Sequence, residues 1–316
     1  MSLAFNIMIE GQEGLNWDRW RRLAAAAEEL GYAGLFRSDH LTGLFGDATR
    51  PALDTWASIT WLATGTRRIR FGPLVCPITF YQPALLARRA AAVSELSGGR
   101  LDLGIGAGWH DPEHLMFGIP FPPLKERLDR LECAARAIRA LWRGEPATIA
   151  QPYYPLVEAQ TFPRPAPGTL PLVVGGRGER RTLRIVAEHA DEWNVTRVTP
   201  DEYPAKLAVL EQHCRAVGRD PAAIRRSLMV PLAIGRSAAE VATRRQRAHA
   251  IMPRLPKEEA EWRAAGFLHG TPAEVVESLG RWQALGISRV MLQMLDQEDL
   301  AALELFAREV LLRNCR

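Results

Sequence analysis

The chain has 316 residues, of which 47% are hydrophobic and 24% are charged, and its formal net charge is +4 at pH 7. This length and composition predict a globular protein with one large core or two ordinary ones. The charges are spread along the chain without a block of five like charges, so the mildly basic balance does not predict a nucleic-acid partner.

The cysteines and the apolar runs argue against further classes of protein: zinc-binding, disulfide-rich, exported and membrane-embedded proteins. Cys76, Cys133, Cys214 and Cys315 stand far apart, without a C-x-x-C pair or histidines at ligand spacing, so neither a zinc site nor a disulfide framework is predicted. The first apolar segment has no basic residues before it and ends at Glu10, and no run approaches the roughly 20 apolar residues of a membrane span. We expect a cytoplasmic protein that is neither exported nor embedded in a membrane.

Short apolar runs alternate with longer amphipathic stretches. After "LAFNIMI" comes a helical pattern from Trp17 to Leu30, which Asn16 caps and Gly31 closes. The same βα pattern repeats along the chain and predicts eight strands. These strands are Leu3–Ile9, Ala33–Arg37, Ile69–Cys76, Leu101–Ile105, Leu172–Val174, Glu192–Val195, Ser227–Ile234 and Arg289–Met294, and the clearest helices between them are Pro83–Leu96, Leu124–Trp142 and Thr182–His189.

Eight βα units in a chain of this length favour a closed (β/α)8 TIM barrel, of the α/β class, over an open doubly wound sheet with a separate second domain. We expect one domain over residues 1–316 with two insertions. Residues 144–171 are rich in proline, which predicts an irregular excursion without regular helix or strand. Residues 236–270 follow the seventh strand and have a largely helical pattern, which predicts an insertion over the barrel mouth.

In this fold the chemistry lies at the carboxyl ends of the strands, so the residues after each strand are the candidates. The stretch "GGRGERRTL" follows the fifth strand and opens a helix. Its glycines let backbone N–H groups approach an anion, and its arginines add positive charge, which favours a phosphate site over a tight turn with solvent-facing arginines. The residues of this predicted site are Gly175, Gly176, Arg177, Gly178, Arg180 and Arg181.

The fourth strand ends in "GIGAGWHD", with glycines at Gly104, Gly106 and Gly108. The stretch is not a dinucleotide-binding fingerprint, because Trp109 takes the third glycine position and the next long helix does not follow at once. The glycines are consistent with a flat ligand against the backbone, and equally with crowding inside the barrel.

The following "HDPEH" matches an H-x-x-E-H zinc pattern, which needs both histidines on one helical face. Asp111 and Pro112 are typical of the N-cap and the first position of a helix. His110 is therefore expected outside the helix, away from the helical face that carries His114. This geometry disfavours a metal site, and we predict none. His110 remains a candidate for lining the site.

The second strand ends in "RSDH", an acid beside an imidazole. His40 is the better candidate for proton transfer, because the ordinary pKa of histidine lies near neutrality. Asp39 is the candidate for anchoring the loop or orienting a neighbour. A purely structural role for the pair is the alternative.

Together these motifs resemble the bacterial luciferase-like superfamily, and within it the branch that uses the deazaflavin coenzyme F420. The resemblance rests on "RSDH", "FGPLVCPITFYQPALLARRAA", "LSGGRLDLGIGAGWHDPEHLMFGIPFPPLKERLDRL" and "LPLVVGGRGERRTLRIVAEHADEWN". It runs from about Phe5 to Thr196 and continues more weakly to the end.

The resemblance implies a flavin-type ring at the barrel mouth against the third strand, where the family carries a non-prolyl cis peptide, by position Leu74–Val75. It also implies catalysis by His40, a cofactor phosphate at the glycine-rich loop, and a homodimer. His110 stands where the branch commonly has asparagine, and Cys76 where a small hydroxyl residue is frequent. The implied cofactor contacts outside that loop are Leu74, Val75, Cys76, Gly106, Gly108, Trp109, His110 and Asn194, with Trp193 as a second aromatic wall.

The expected activity is hydride transfer between F420 and a small organic substrate, with His40 moving the accompanying proton. The first alternative is an FMN-dependent monooxygenase that uses oxygen on the same barrel, and the second is a cofactor-binding protein without turnover. The arginines of the glycine-rich loop favour F420, because its tail is long and acidic. We expect the substrate to contact the insertion after Gly235 and the loop from Thr42 to Leu53.

Overall fold

Strands and helices alternate along the residues that the computed structural model describes, 3–45 and 47–312. Cys315, and residue 46 of the predicted substrate loop, lie outside these ranges. The strands are β1 (Ala4–Ile9), β2 (Gly34–Arg37), β3 (Arg70–Pro73), β4 (Cys76–Pro77), β5 (Leu103–Gly106), β6 (Ala147–Ile149), β7 (Leu156–Ala159), β8 (Leu172–Gly175), β9 (Glu192–Thr196), β10 (Arg225–Ile234), β11 (Leu268–Gly270) and β12 (Arg289–Met294).

The helices form the outer layer. The first buries Trp20, Leu23 and Ala27, and the Asn16 side chain accepts the hydrogen bond of the Arg19 N–H, which confirms the predicted cap. The helices are α1 (Trp17–Glu29), α2 (Thr55–Gly65), α3 (Pro83–Leu96), α4 (Asp111–Met116), α5 (Leu124–Trp142), α6 (Thr182–His189), α7 (Tyr203–Ala216), α8 (Ala238–Ile251), α9 (Glu259–Ala264), α10 (Pro272–Ala284) and α11 (Leu300–Phe306). In the described part of the chain, none is long and apolar enough to cross a membrane.

Parallel strands close into a ring. Nine of them pair in the order β3-β2-β1-β12-β10-β9-β8-β5-β4, and a bridge between Phe71 and Leu101 joins β3 to the chain just before β5. Since β3 pairs with β2 and β4 pairs with β5, these two strands share one position of the ring. The ring therefore has eight positions surrounded by helices, and the predicted TIM barrel is confirmed.

The third predicted strand, Ile69–Cys76, is not continuous as expected. It is interrupted between β3 and β4 at Leu74–Val75, whose peptide bond is cis, as the resemblance implied. Leu74 and Val75 both pack inside the barrel, whereas the buried Cys76 belongs to the core between barrel and helices. Side chains of a regular strand would alternate. From Phe71 to Cys76 the run is apolar, so its pattern could not reveal the break.

Glycines around Val75 make room for its side chain. A Cβ on Gly106 would stand 2.7 Å from Val75 Cγ2, and one on Gly175 would stand 3.0 Å from Val75 Cγ1. A Cβ on Gly104 would meet the Pro73 carbonyl oxygen at 2.3 Å. The close contacts at Gly104 and Gly106 are consistent with crowding inside the barrel, one of the two interpretations of these glycines.

We expect Gly106→Ala to lower the free energy of unfolding by about 1–3 kcal/mol, because the added methyl overpacks the interior. Val75→Ala should relieve most of that cost, since the clash is with a Val75 methyl group. Urea denaturation of the two single variants and the double variant measures the coupling. Gly104→Ala is the control: its Cβ would meet Val75 Cγ1 at 2.9 Å but also the Pro73 carbonyl oxygen at 2.3 Å, and this backbone clash should persist beside Val75→Ala. An equal cost of Gly106→Ala in both backgrounds would contradict this packing argument.

The two insertions differ in how well they were predicted. Residues 144–171 contain an antiparallel hairpin of β6 and β7, so the expected absence of regular strand is wrong. Pro146 precedes β6, Pro152 and Pro155 lie in the connection between the two strands, and the other prolines follow β7, so none interrupts the pairing. Residues 236–270 are largely helical as predicted, in α8 and α9, and end in β11, which extends the sheet beside β10.

An ion network fills the N-terminal end of the barrel. Arg289 Nη1 lies 2.7 Å from Asp102 Oδ2 and 2.9 Å from Glu192 Oε2, and all three side chains are buried. Arg289 Nη2 donates to Asn6 Oδ1 at 3.2 Å. Burial alone would lower the pKa of Arg289, but the Glu192 and Asp102 carboxylates outweigh it and raise that pKa. These residues stabilise the barrel at the end opposite to the site.

Candidate active site

His40 lies at the C-terminal mouth of the barrel, paired with a glutamate from another loop. Its Nδ1 is 2.8 Å from Glu113 Oε1, and the second carboxylate oxygen accepts the Leu41 N–H at 3.0 Å. The Glu113 side chain is 1% exposed and the His40 side chain 10%. One carboxylate thus fixes both the imidazole and the backbone that follows it.

This pairing determines what the imidazole can do. An ionised carboxylate only accepts hydrogen bonds, so we assign the Nδ1 hydrogen to His40 as the donor to Glu113. The lone pair of neutral His40 then lies on Nε2, to which no hydrogen bond is found among the described residues. A side chain with one ring nitrogen fixed by a carboxylate and the other open is arranged for proton transfer.

The segment that carries Glu113 is held at several points. His110 is the residue before α4, so it lies outside the helix as predicted, although the helix begins at Asp111 itself. His114 Nδ1 contacts the His110 carbonyl oxygen at 2.7 Å, and its Nε2 contacts Thr79 Oγ1 at 2.8 Å. The His114 side chain thus contacts Thr79 and the His110 backbone, whereas the His110 ring lies beside His40. No cluster of three or more His, Cys, Asp or Glu suited to a metal ion occurs within the described ranges.

Asp39 points away from His40. Its Oδ2 accepts a hydrogen bond from the Tyr81 hydroxyl at 2.7 Å. The Cys76 thiol lies in the same buried group, where burial and then the Asp39 charge raise its pKa. Asp39 thus anchors the loop, one of the two roles predicted for it, and the partner of His40 is Glu113.

The rings of Trp109 and His110 lie beside His40. The Trp109 ring centroid lies 5.8 Å from that of His40, and the Trp109 side chain is half exposed at the mouth. The His110 ring lies 6.4 Å from His40. Burial lowers the pKa of His110, the Glu113 carboxylate opposes this shift, and the charge of Arg254 adds to it.

Trp193 does not wall the mouth, contrary to prediction. It is fully buried between barrel and helices, stacks on Tyr203, and donates from Nε1 to the Gly176 carbonyl oxygen at 2.7 Å. In β9 its neighbours Glu192 and Asn194 face the barrel interior, so Trp193 faces outward. Asn194 itself donates to Ser227 Oγ at 2.9 Å, within the barrel.

The glycine-rich loop lies at the mouth between β8 and α6. Gly176 has φ +135°, a backbone conformation that glycine adopts readily, and a Cβ on Gly178 would stand 2.9 Å from Thr182 Oγ1. Arg177 is exposed beside a cavity at the mouth. Arg181 instead forms ion pairs with Asp129 at 2.7 Å and with Glu132 on α5, so its charge is already balanced.

Carboxylates and amides form a buried floor beneath the mouth. Glu10 Oε2 accepts from Gln12 Nε2 at 2.9 Å, and Glu10 Oε1 accepts from Gln293 Nε2. Ser38 Oγ donates to Gln12 Oε1 and accepts the Gly11 N–H. This network ties the loop after β1 to the ends of β2 and β12.

Glu113 and Gln293 were not predicted as site residues. For Glu113 a signal was present, since it belongs to the same "HDPEH" that was considered for zinc, in the first turn of a predicted helix. A carboxylate beside a histidine-bearing loop could have been paired with His40. Gln293 lies in an apolar strand, and its inward direction depends on the register of β12 in the ring.

A comparison with protein families decides the family. The model of the luciferase-like monooxygenase family matches residues 1–289. The chain belongs to this family. The resemblance that the strand-end motifs suggested is thereby confirmed.

Relatives of this luciferase-like protein include an F420-dependent glucose-6-phosphate dehydrogenase from Nakamurella multipartita. It is 34% identical over 178 residues, which cover 55% of this chain and 50% of that protein. A protein of the same name from Microbacterium testaceum is 28% identical over 314 residues, 91% of this chain and 90% of its own. The chain spans about half to two-thirds of the length of several curated relatives that it matches, 50% and 63% in two cases.

Among solved structures, the fold of this luciferase-like protein is similar to that of an F420-dependent secondary alcohol dehydrogenase in complex with an F420-acetone adduct. The TM-score is 0.83 at 19% sequence identity, with 100% of both chains covered. This likeness supports the fold assignment over the whole length of the chain.

Glu113 can be tested through its effect on His40. We expect Glu113→Gln to lower kcat by about tenfold or more, because the imidazole loses both its fixed orientation and the charge that stabilises its protonated form. KM and the Kd of the cofactor should change little. Steady-state kinetics with a parallel binding titration separate these effects. Glu126→Gln, on the outside of α5, is the matched control. An unchanged kcat, or a loss explained by weaker cofactor binding, would refute the positioning role.

Proposed function

We propose that this protein is an F420-dependent oxidoreductase that transfers a hydride between the deazaflavin and a small organic substrate. The observation that carries the proposal is His40 at the barrel mouth, with Nδ1 fixed by Glu113 and Nε2 open. Support also comes from relatives named as F420-dependent dehydrogenases. The whole-chain likeness to an F420-bound dehydrogenase fold is consistent with it.

The residues at the mouth fit such a cofactor. The loop of Gly176 and Gly178 leads into the N-terminus of α6, where backbone N–H groups and the exposed Arg177 suit a phosphate. Leu74 and Val75 present an apolar surface between β3 and β4. When bound, F420 supplies a ring carbon that accepts or releases a hydride. We assign its binding to these residues, and Trp109 to the rim beside it.

His40 would move the proton that accompanies the hydride. In oxidation of an alcohol, the carbon–hydrogen bond supplies the hydride and the hydroxyl proton passes to His40 Nε2, which leaves a carbonyl product. The imidazolium so formed is stabilised by the Glu113 carboxylate at 2.8 Å from Nδ1. In the reverse direction the same nitrogen donates the proton. Each half of the reaction therefore balances without a further protein group.

The second candidate function is an FMN-dependent monooxygenase, which the description of the matching family favours. Equilibrium titration of the purified protein with F420 and with FMN in parallel tests both, followed by absorbance or fluorescence. Preferential binding of F420 supports our proposal. Preferential binding of FMN, or F420 binding without turnover of any alcohol or carbonyl substrate, would overturn it.

The resemblance also leads us to propose a homodimer in the cytoplasm, built from one domain over residues 1–316. Sedimentation velocity of the purified protein tests the oligomeric state. A species near twice the chain mass of 35.2 kDa is expected, and a monomer at micromolar concentration would contradict the dimer.

A further inference from the structure

We propose that Arg127 is a positioning residue that acts on the reaction through Trp109. Together with His114 it holds residues 108–110, here called the Trp109 turn, and so fixes the Trp109 ring beside His40 as a wall of the substrate pocket. The part of this inference that concerns turnover rests on the proposed function. The part that concerns the position of Trp109 does not depend on it.

The carbonyl groups before and after Trp109 are both held by buried side chains. Arg127 Nη1 donates to the Gly108 carbonyl oxygen at 2.7 Å, and His114 Nδ1 lies 2.7 Å from the His110 carbonyl oxygen. A carbonyl oxygen only accepts hydrogen bonds, so His114 Nδ1 is the donor. Arg127 is 9% exposed and His114 is 0% exposed. The backbone on each side of Trp109 is therefore fixed from the interior.

The two side chains that hold the turn are connected. Arg127 Cζ lies 3.9 Å from the centroid of the Phe121 ring, and that centroid lies 4.5 Å from the centroid of the His114 ring. His114 Nε2 contacts Thr79 Oγ1 at 2.8 Å. A Cβ on Gly108 would stand 2.9 Å from the same hydroxyl oxygen, so the turn lies against Thr79. These contacts join α5, α4 and the segment after β4 into one support for the turn.

Arg127 differs from its neighbours on α5 in having no counter-charge. Within the described ranges it forms no ion pair, and its Nε has no hydrogen-bond partner. Burial lowers the pKa of Arg127, and the charge of Asp111 opposes this shift only in part. Arg130, by contrast, pairs with Glu126 at 2.7 Å. Burial of an unpaired guanidinium costs folding free energy, so we infer that Arg127 contributes the orientation of the Gly108 carbonyl rather than stability.

The turn places a half-exposed ring beside the candidate catalytic histidine. The Trp109 ring centroid lies 5.8 Å from that of His40 and 5.1 Å from Arg254 Cζ in the insertion. No hydrogen bond to the Trp109 indole N–H is found in the described part of the chain, so the position of the ring depends on the backbone of the turn. A displacement of about 1 Å near reacting groups can cost up to about a hundredfold in rate.

The first test needs neither cofactor nor substrate. Fluorine NMR of the protein labelled with fluorotryptophan resolves the tryptophan side chains, and Trp109→Phe identifies the Trp109 resonance. Arg127→Met should shift or split this resonance and leave the remaining resonances unchanged. Arg127→Lys should restore most of the parent spectrum, because an ammonium group also donates to a carbonyl oxygen and packs on an aromatic ring. Arg136→Met, which removes an exposed arginine of the same helix, is the control.

The same spectra decide between positioning and general support of the fold. An unchanged Trp109 resonance in Arg127→Met would overturn the inference. The midpoint of urea denaturation should stay within about 0.5 M of the parent value, because loss of the hydrogen bond is offset by removal of an unpaired buried charge. Gly108 is half-buried, so water can reach its carbonyl oxygen. A large fall of the midpoint with shifts of all tryptophan resonances would show general support and would also overturn the inference.

The second test measures turnover at saturating F420, with the alcohol that the parent protein oxidises best. Arg127→Met should lower kcat/KM about tenfold to a hundredfold. In the Trp109→Leu background it should lower kcat/KM little further, because the ring that Arg127 positions is gone. An equal loss in both backgrounds would overturn the role through Trp109. If the parent protein turns over no alcohol or carbonyl compound, the proposed function fails, and the NMR result still decides whether Arg127 holds the Trp109 turn.

Discussion

Replacement of His40 by glutamine is expected to lower kcat for F420-linked oxidation by about 10²–10⁴-fold, the usual contribution of a positioned acid or base. Glutamine keeps a polar group near Glu113 but cannot take up a proton. Binding of F420 should stay within about threefold, because we assign no cofactor charge to His40. Stopped-flow measurement of the first turnover separates the chemical step from product release.

His189→Gln is the matched control for this prediction. His189 is the last residue of α6, on the side of the barrel remote from the mouth, and burial lowers its pKa to about 4. Its replacement should leave kcat unchanged, even if stability changes slightly. If His40→Gln turned over at the parent rate, the imidazole would have no part in proton transfer, and the proposed function would lose the observation that carries it.

Replacement of Arg289 by methionine is expected to lower the free energy of unfolding by about 3 kcal/mol, because it removes the buried cation that Asp102 and Glu192 share. The loss is at the low end for a buried ion pair, since Asp102 keeps Arg70 and Glu192 keeps Arg225 as partners at the edge of the network. Asp102 and Glu192 are each 0% exposed, so water cannot replace the guanidinium without opening the barrel. Methionine keeps most of the side-chain volume, which limits the contribution of a cavity. Urea denaturation followed by circular dichroism measures the change.

Two further variants separate charge from packing. Arg281→Met removes an exposed arginine whose partner Asp201 is also exposed, and should cost much less. Adding Asp102→Asn and Glu192→Gln to Arg289→Met should restore part of the loss, because the neutral amides need no counter-charge. A loss in the triple variant as large as in Arg289→Met would show that packing, and not unpaired charge, sets the cost.

Much of the fold could be predicted from the local sequence pattern. Helices Pro83–Leu96, Leu124–Trp142 and Thr182–His189 have the predicted ends, and Asn16 caps the first helix as expected. Periodicity and capping are properties of neighbouring residues, so a single segment contains the information. The hairpin within residues 144–171 was not predicted, because the proline content of the segment was given more weight than its two short runs without proline. These runs form β6 and β7.

Only part of the candidate site could be predicted from the sequence. His40 and Trp109 were predicted at the mouth, and the structure brings their rings together. Arg181 and Trp193 were predicted there as well, but one is ion-paired with α5 and the other faces the helices. Sequence position gives the strand end to which a residue belongs. It does not give the direction of a side chain that follows an irregular turn.

The sequence by itself determined the alternation of strands and helices, the TIM barrel and the presence of His40 at a strand end. Only the tertiary structure decided which side chains meet. Glu113 reaches His40 across 73 residues of sequence, and Asp102 reaches Arg289 across 187. The physical reason is that secondary structure depends on neighbours along the chain, whereas the partners of a buried charge depend on how the ring of strands closes.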